Sequence, residues 1–294
     1  MRPDRFFKYV TAEIAQIILN SGTLRWSCPN QFNDPFDLKH DIEIGFEWEE
    51  IRLPLMTYWQ TEFVAAVRQE AVRQGRSWAD SDLGQIPESI QAQITEDVDS
   101  SILEFQSMYR QQTEDYLRRK QDFRILCFSE VRDSILMWSH YAKNHTGVVL
   151  AFKPNIEHDS VFLAAQRVNY LDEVPLLLIL EEFLEVVISQ KPPPKMTDLF
   201  KQRVYTKSTA WKCEEEWRVF TTRKEPRDGV DPDYSDRLFH VDELVEIYFG
   251  CGIDSAQRAI ESIVEKRGYH VKMYKMCAER YRYKLETLPH SPGD

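Results

Sequence analysis

Three stretches of this chain hold residue types that do chemistry. Residues 211–220, WKCEEEWRVF, place three carboxylates beside a guanidinium. Read as a strand from Glu214 to Phe220, alternation puts Glu214, Glu216 and Arg218 on one face. Cys213, Glu215, Trp217 and Val219 then occupy the other. Two acids and a base on one face are costly to bury unless they are paired or used. Arg218 is placed to pair with Glu216, and Lys207 or Lys212 with Glu214. One reading is a solvated face of cross-strand ion pairs. The other is a general base, or a clamp on sugar hydroxyls that tightens as positive charge develops.

Residues 31–37, QFNDPFD, read as a rigid turn, because Asn and Asp bond their own backbone and Pro fixes the following dihedral. Asn33 and Asp34 are either presented to a ligand or spent on capping that turn. Residues 128–152, FSEVRDSILMWSHYAKNHTGVVLAF, read as strand, helix, strand. Asp133 or Ser134 caps the helix, and Ile135, Trp138 and Ala142 share a stripe with Tyr141 beside them. His140 projects nearly opposite Trp138, so the two cannot both be core. Trp138, His140, Tyr141 and the later His145 either pack or wall a site. The expectation is that all three stretches line one cleft.

Common catalytic signatures are missing: there is no G-x-G-x-x-G, no G-x-x-x-x-G-K-[ST], no H-E-x-x-H and no G-x-S-x-G. His140 and His145 lie five apart with no carboxylate at ligand spacing, so no metal is expected. The five cysteines are odd in number, spread out and free of C-x-x-C pairs, which fits reduced thiols in a cytoplasmic protein.

The positioning elements have a legible grammar. Phe6 to Val10 reads as a strand, followed by a helix capped by Thr11, with Ile14, Ile17 and Ile18 at helical spacing and Gly22 as its stop. Leu24 to Ser27 reads as a second strand. Residues 46–121 form a helical insertion, with Ile90, Ile94, Val98, Ile102, Phe105 and Tyr109 repeating at three and four. Strands follow at FRILCF, GVVLAF, RVNY, EWRVFT, LVEIYF, HVKMYK and RYRYKLE, interrupted by a helix near 176–190 and a KPPPK link. The pattern predicts a single domain over 1–294 of α+β class: a mixed, largely antiparallel sheet, the insertion, and a C-terminal βαβ-like unit.

A formal net charge of −11 disfavours tracking a nucleic-acid backbone, which rests on Lys and Arg displacing counterions. It suits a protein partner or a small cation-bearing ligand better than bare DNA. No leader peptide is read at the N-terminus, and the longest apolar run, VPLLLILEEFLEVVI, is broken by Glu181 and Glu182, so no membrane association is expected.

Taken in order, FKYVT, FNDPFD, CFSE…MWSHYA…GVVLAF, VNYLDEVP and the late E-x-E-W-R resemble a bacterial family catalogued as domain of unknown function 2971. More remotely, a first strand with Lys8-Tyr9, a capped helix, Gly22-Thr23-Leu24 and a late Glu-x-Glu strand resemble the ADP-ribosyltransferase superfamily. That resemblance implies NAD as substrate, in a toxin or phage-defence setting. It puts Glu216, with Glu214 two before it, at the nicotinamide ribose, and the cleft reading adds Tyr141 and His140 as catalytic candidates. The resemblance puts Lys8 or Tyr9 on the same ribose, and the cleft reading adds Ser27, Asn33, Asp34, Trp138 and Arg218 to the cofactor-binding set. The chain departs from that pattern in having no His or Arg on the first strand unless Lys8 serves. A hydrolase acting on a nucleotide or phosphorylated small molecule, and a non-catalytic sensor of a ligand or protein, remain the alternatives.

Overall fold

A computed structural model describes residues 2–39, 43–76, 86–189, 201–223 and 233–290. The KPPPK link, residues 191–195, lies outside them. The chain divides into two compact units. The larger takes residues 1–40, 119–174 and 202–294, and the smaller takes 41–118 and 175–201. The expected insertion over 46–121 is therefore part of a unit that also draws on the helix near 180.

The larger unit has the expected α+β character. Its sheet contains β1 (Phe6–Val10), β2 (Thr23–Ser27), β3 (Phe123–Ser129), β4 (Val148–Phe152), β5 (Gln166–Arg167), β8 (Glu216–Thr222), β9 (Tyr234–Leu238), β10 (Leu244–Phe249), β11 (Lys272–Ala278) and β12 (Leu285–His290). The strands run β12-β11-β10-β4-β1-β3-β2-β9, with β8 on β3 and β5 on β8. Pairing is antiparallel except between β10 and β11, which are parallel and joined by α6 (Ala256–Arg267) as a βαβ unit. A separate parallel pair joins β6 (Asn169–Leu171) to β7 (Thr206–Ser208).

Central strand β4 is apolar throughout because both its faces are covered. In β4, Val148, Leu150 and Phe152 join one core cluster, while Val149 and Ala151 join another. The first cluster is covered by α1 (Ala12–Ser21) and α6, and the second by α4 (Ile135–His140). Helix α1 begins where Thr11 accepts a hydrogen bond from Ile14 N–H and ends at Gly22, whose φ of 69° is left-handed. Its buried face is Ala12, Ala15, Ile18 and Leu19; Ile14 and Ile17 are exposed, so small alanines pack where the isoleucine stripe was expected. RYRYKLE is likewise corrected. Residues 279–284 are the hairpin between β11 and β12, closed by Glu279 N–H to Lys284 O, and Tyr281 and Tyr283 are exposed.

The smaller unit contains α2 (Arg52–Arg73), α5 (Leu180–Ile188) and most of α3 (Glu88–Lys120). The predicted stripe on α3 does face a core, where Val98 and Ile102 pack with Phe46, Ile51, Leu55 and Phe183. Phe183 of α5 supplies the central ring, at 5.1 Å from both Phe46 and Phe105.

After α4 the larger unit does something sequence does not announce. Lys143, Asn144 and His145 all take positive φ, at 48°, 53° and 65°. This left-handed turn carries the chain under the strand ends, where Gly147 O accepts from Gly250 N–H and His145 O accepts from Gly252 N–H. A Cβ on Gly250 would sit 2.2 Å from His145 O, and one on Gly147 would sit 2.3 Å from Val10 O. Backbone, not a flexible side chain, is in the way. Gly250→Ala is therefore expected to lower unfolding free energy by about 3 kcal/mol, the upper range for forced overpacking, read from the urea midpoint.

Candidate functional site

A gap in strand pairing creates the cavity. β1 pairs with β4 along its whole length, from Phe6↔Phe152 to Val10↔Val148. Its other edge meets β3 in one register pair, Phe7↔Ser129. β2 meets the same edge of β3 lower down, at Ser27↔Ile125. Between these two attachments β1 and β2 diverge, and a cavity of about 430 Å³ opens against the middle of β3. That volume falls within the range of small-molecule sites. Lys8 bridges the gap, donating from Nζ to Cys127 O at 3.0 Å with the Phe128 ring 5.4 Å away.

A buried ionic cluster forms one wall. Lys207 on β7 donates to Glu214 Oε2 at 2.5 Å and to Glu216 Oε2 at 3.2 Å, and lies 3.8 Å from Asp37 Oδ2. Arg218 is fully buried. It donates to Glu216 Oε1 at 2.8 Å and Oε2 at 3.0 Å, to Asp37 Oδ1 and Oδ2 at 2.9 and 2.5 Å, and to Val204 O at 2.8 Å. Tyr141 caps the cluster: its hydroxyl donates to Glu214 Oε1 at 2.6 Å and accepts from Asn33 Nδ2 at 3.3 Å.

Local backbone geometry explains how two nearby glutamates reach one lysine. The expected strand over 214–220 begins only at Glu216. Residues 209–214 form a 3₁₀ turn instead, and Glu215 is left-handed with φ of 43°. This kink turns Glu214 back beside Glu216, while Glu215 leaves to pair with Arg167. Ser129 Oγ donates to Glu214 O at 2.6 Å, and Ser134 Oγ donates to Cys213 O at 3.2 Å, so β3 and the start of α4 hold the turn. The Glu216 N–H donates to the Tyr170 hydroxyl at 2.8 Å, while Trp217 and Val219 enter the core.

The two glutamates are tuned in opposite directions. Burial pushes Glu214 above its ordinary carboxylate value, with Lys207 opposing and Glu216 adding to the rise. Burial acts on Glu216 in the same sense, but Arg218 and Lys207 outweigh it and hold that carboxyl low. Lys207 would be lowered by burial; its acidic neighbours reverse this and raise it. Burial raises the Tyr141 hydroxyl, reinforced by Glu214, and lowers the Lys8 amine.

Eight of the residues singled out from sequence meet at this cavity: Lys8, Tyr9, Ser27, Asn33, His140, Tyr141, Glu214 and Glu216. Four do not line it. Trp138 is fully buried, donates from Nε1 to Arg132 O at 2.8 Å and packs edge-on to Tyr9, so it has no free face for a ligand. His145 stacks on that indole instead of facing the cleft. Asp34 accepts from Phe36 N–H through Oδ1 at 2.8 Å, while its buried Oδ2 has no hydrogen-bond partner among the described residues. Arg218 holds Asp37 and Glu216 in place and is closed off from the cavity. Sequence reasoning passed over Asp37, Gln31 and Arg25, all at the cavity, and treated Lys207 only as a counterion. Asp37 stands three residues after Asp34 in the quoted turn, but its role depends on a partner 181 residues away.

A family model described as "Protein of unknown function (DUF2971)" matches residues 137–219. That span runs from α4 to β8 and includes His140, Tyr141, Lys207, Glu214, Glu216 and Arg218. No curated protein and no solved structure matches the chain. Among the described residues, no helix is long and apolar enough to cross a membrane.

Two outcomes follow from the cluster. Lys207→Met leaves the buried Glu214 without its cation and Glu216 with Arg218 alone, and should cost about 3 kcal/mol or more in urea unfolding. The glutamates should also differ in pH response. A carboxyl raised on folding contributes less stability as pH climbs above the ordinary 4.5, because the unfolded chain gives up its proton first. A carboxyl lowered on folding contributes stability that is present above 4.5 and lost as pH falls. Relative to the parent, Glu214→Gln should therefore gain stability as pH rises from 4.5. Glu216→Gln should instead lose stability relative to the parent as pH rises toward 4.5 from below, and keep a constant deficit above it, both measured by denaturant titration across pH.

Proposed function

We propose that the cavity binds NAD and that the protein cleaves its nicotinamide N-glycosidic bond, as an NAD glycohydrolase or an ADP-ribosyltransferase-like enzyme. The observation that carries this reading is the pair of oppositely tuned carboxylates, Glu214 and Glu216, on one cavity wall. Loss of nicotinamide leaves positive charge on the ribose, and the electron pair of the broken C1′–N bond neutralises the pyridinium nitrogen. Glu216, kept ionised by Arg218 and Lys207, provides fixed negative charge for that oxocarbenium-like state. Glu214, its proton affinity raised by burial and its carboxylate held by Tyr141, accepts the proton of an incoming water or acceptor hydroxyl as the new C1′–O bond forms. Asn33, Ser27 and the Tyr141 ring are available for the ribose hydroxyls and the nicotinamide. Lys8 and the more exposed Arg25 suit its phosphates. The domain-of-unknown-function match is compatible with this assignment and supplies no activity of its own.

A second reading draws on the same two cations. With Lys8 and Arg25 on the phosphate, the carboxylates would activate water in a hydrolase acting on a nucleotide or another phosphorylated small molecule. Incubation with NAD, following free nicotinamide by chromatography, separates them. The expected result is nicotinamide release that falls about 100-fold or more in Glu216→Gln, the loss typical of one transition-state contact. Tyr141→Phe should fall less. Absence of both nicotinamide release and any NAD-induced rise in melting temperature would refute the NAD reading. Phosphate release from a panel of nucleotides, lost in the same variant, would establish the hydrolase.

A further inference from the structure

A second cluster of chemically capable side chains lies outside this cavity. His158 Nε2 is 2.7 Å from Asp242 Oδ2, and the His240 ring stacks on that of His158 with centroids 4.0 Å apart and planes 7° from parallel. One ligand atom from each of the three residues falls within 4.8 Å of the others. We propose that His158, His240 and Asp242 bind a divalent transition-metal ion, Zn²⁺ or its chemical neighbours Ni²⁺ and Co²⁺.

Donor type selects the ion class. Two imidazoles and one carboxylate suit borderline metals, whereas Mg²⁺ and Ca²⁺ take oxygen-rich sets. The backbone around the three residues is prearranged. β4 ends at Phe152 and β10 begins at Leu244, directly opposite it in register. The two connecting turns are then tied together, with Lys153 N–H donating to Glu243 O at 2.8 Å. Glu243 is buried and accepts from His240 N–H at 2.9 Å, fixing the backbone that carries His240 and Asp242. On the other turn Asn155 caps residues 156–158 through Glu157 N–H at 2.9 Å and donates to Asp242 Oδ2 at 3.3 Å.

Tetrahedral zinc with bonds of about 2.0 Å needs donors about 3.3 Å apart. Closing from the present spread asks the exposed His240 and Asp242 side chains to turn toward the half-buried His158. The ring nitrogen facing Asp242 must be free of its proton, so binding shifts the tautomer or releases a proton. The bound ion would staple the exit of β4 to the entry of β10, joining segments more than eighty residues apart in sequence.

The test uses the full chain without a histidine tag, stripped with chelator and titrated with ZnCl₂ by calorimetry, with melting temperature followed in parallel. One equivalent should bind and raise the melting temperature. His240→Ala and Asp242→Asn should each weaken binding about tenfold or more, whereas His270→Ala, an exposed control, should not. Circular dichroism checks that the variants fold, and Asp242→Asn stands in if His240→Ala does not. Zinc binding equally tight in a His158→Ala, His240→Ala double variant, or no binding by the parent, would overturn the proposal.

Discussion

The site rests on one constraint: Lys207 and Arg218 are buried and must be neutralised by acids drawn from distant parts of the chain. Asp37 comes from the turn after β2, while Glu214 and Glu216 come from the kink that opens β8. An unpaired charge at this depth would cost several kcal/mol. The chain therefore settles only where all five groups meet, and that meeting fixes the turn carrying Asn33, the 209–214 turn and the start of β8 together. Tyr141 is drawn in by the same demand, since its hydroxyl completes the hydrogen bonding of Glu214.

Stability alone is a poor explanation for such a cluster. Replacing a buried ionic group with well-packed apolar side chains of similar volume is often neutral or favourable. The neighbouring strands show that this fold packs apolar residues without difficulty, as β4 does on both faces. The charges also border the place where strand pairing fails, beside a cavity large enough for a small molecule. Burial that brings no clear stability, at the one edge of β3 shared by two diverging strands, is what a functional site is expected to look like.

Local rules were readable from the chain, and of the long-range ones little beyond the convergence at the cavity was. Thr11 and Gly22 delimit α1 because capping and left-handed turns are properties of single residues. The α3 stripe and the apolar strand GVVLAF were legible because periodicity reports which faces are covered. Convergence of Asn33, Tyr141 and the late glutamates could be anticipated from residue type, since polar groups flanked by aromatics must be satisfied somewhere. The opposite fates of Trp138 in α4 and Tyr141 at its C-terminal cap could not. They turn on Arg132 O being within reach of the indole and Glu214 within reach of the phenol. The αL residue Glu215 also escaped, because a run of three glutamates offers no turn signal. His158 and Asp242 escaped for a different reason. Motif searches look for ligands at helical or hairpin spacing, and these two meet only because β4 and β10 are neighbours.

The kink at Glu215 gives the two flanking acids different environments although they are separated by one residue. Had 214–220 been a regular strand, both carboxylates would have faced the same surroundings and taken similar proton affinities. The left-handed residue instead leaves Glu216 chelated by Arg218 and sends Glu214 toward Tyr141 and the cavity. Lys207 touches both, so a proton gained by Glu214 shifts Lys207 toward sole pairing with Glu216 and strengthens the anion there. Under the proposed glycosidic cleavage, proton transfer at one acid and charge stabilisation at the other would thus be coupled through a single ammonium group. Division of labour between two like residues requires such a difference in surroundings, and here one backbone dihedral provides it.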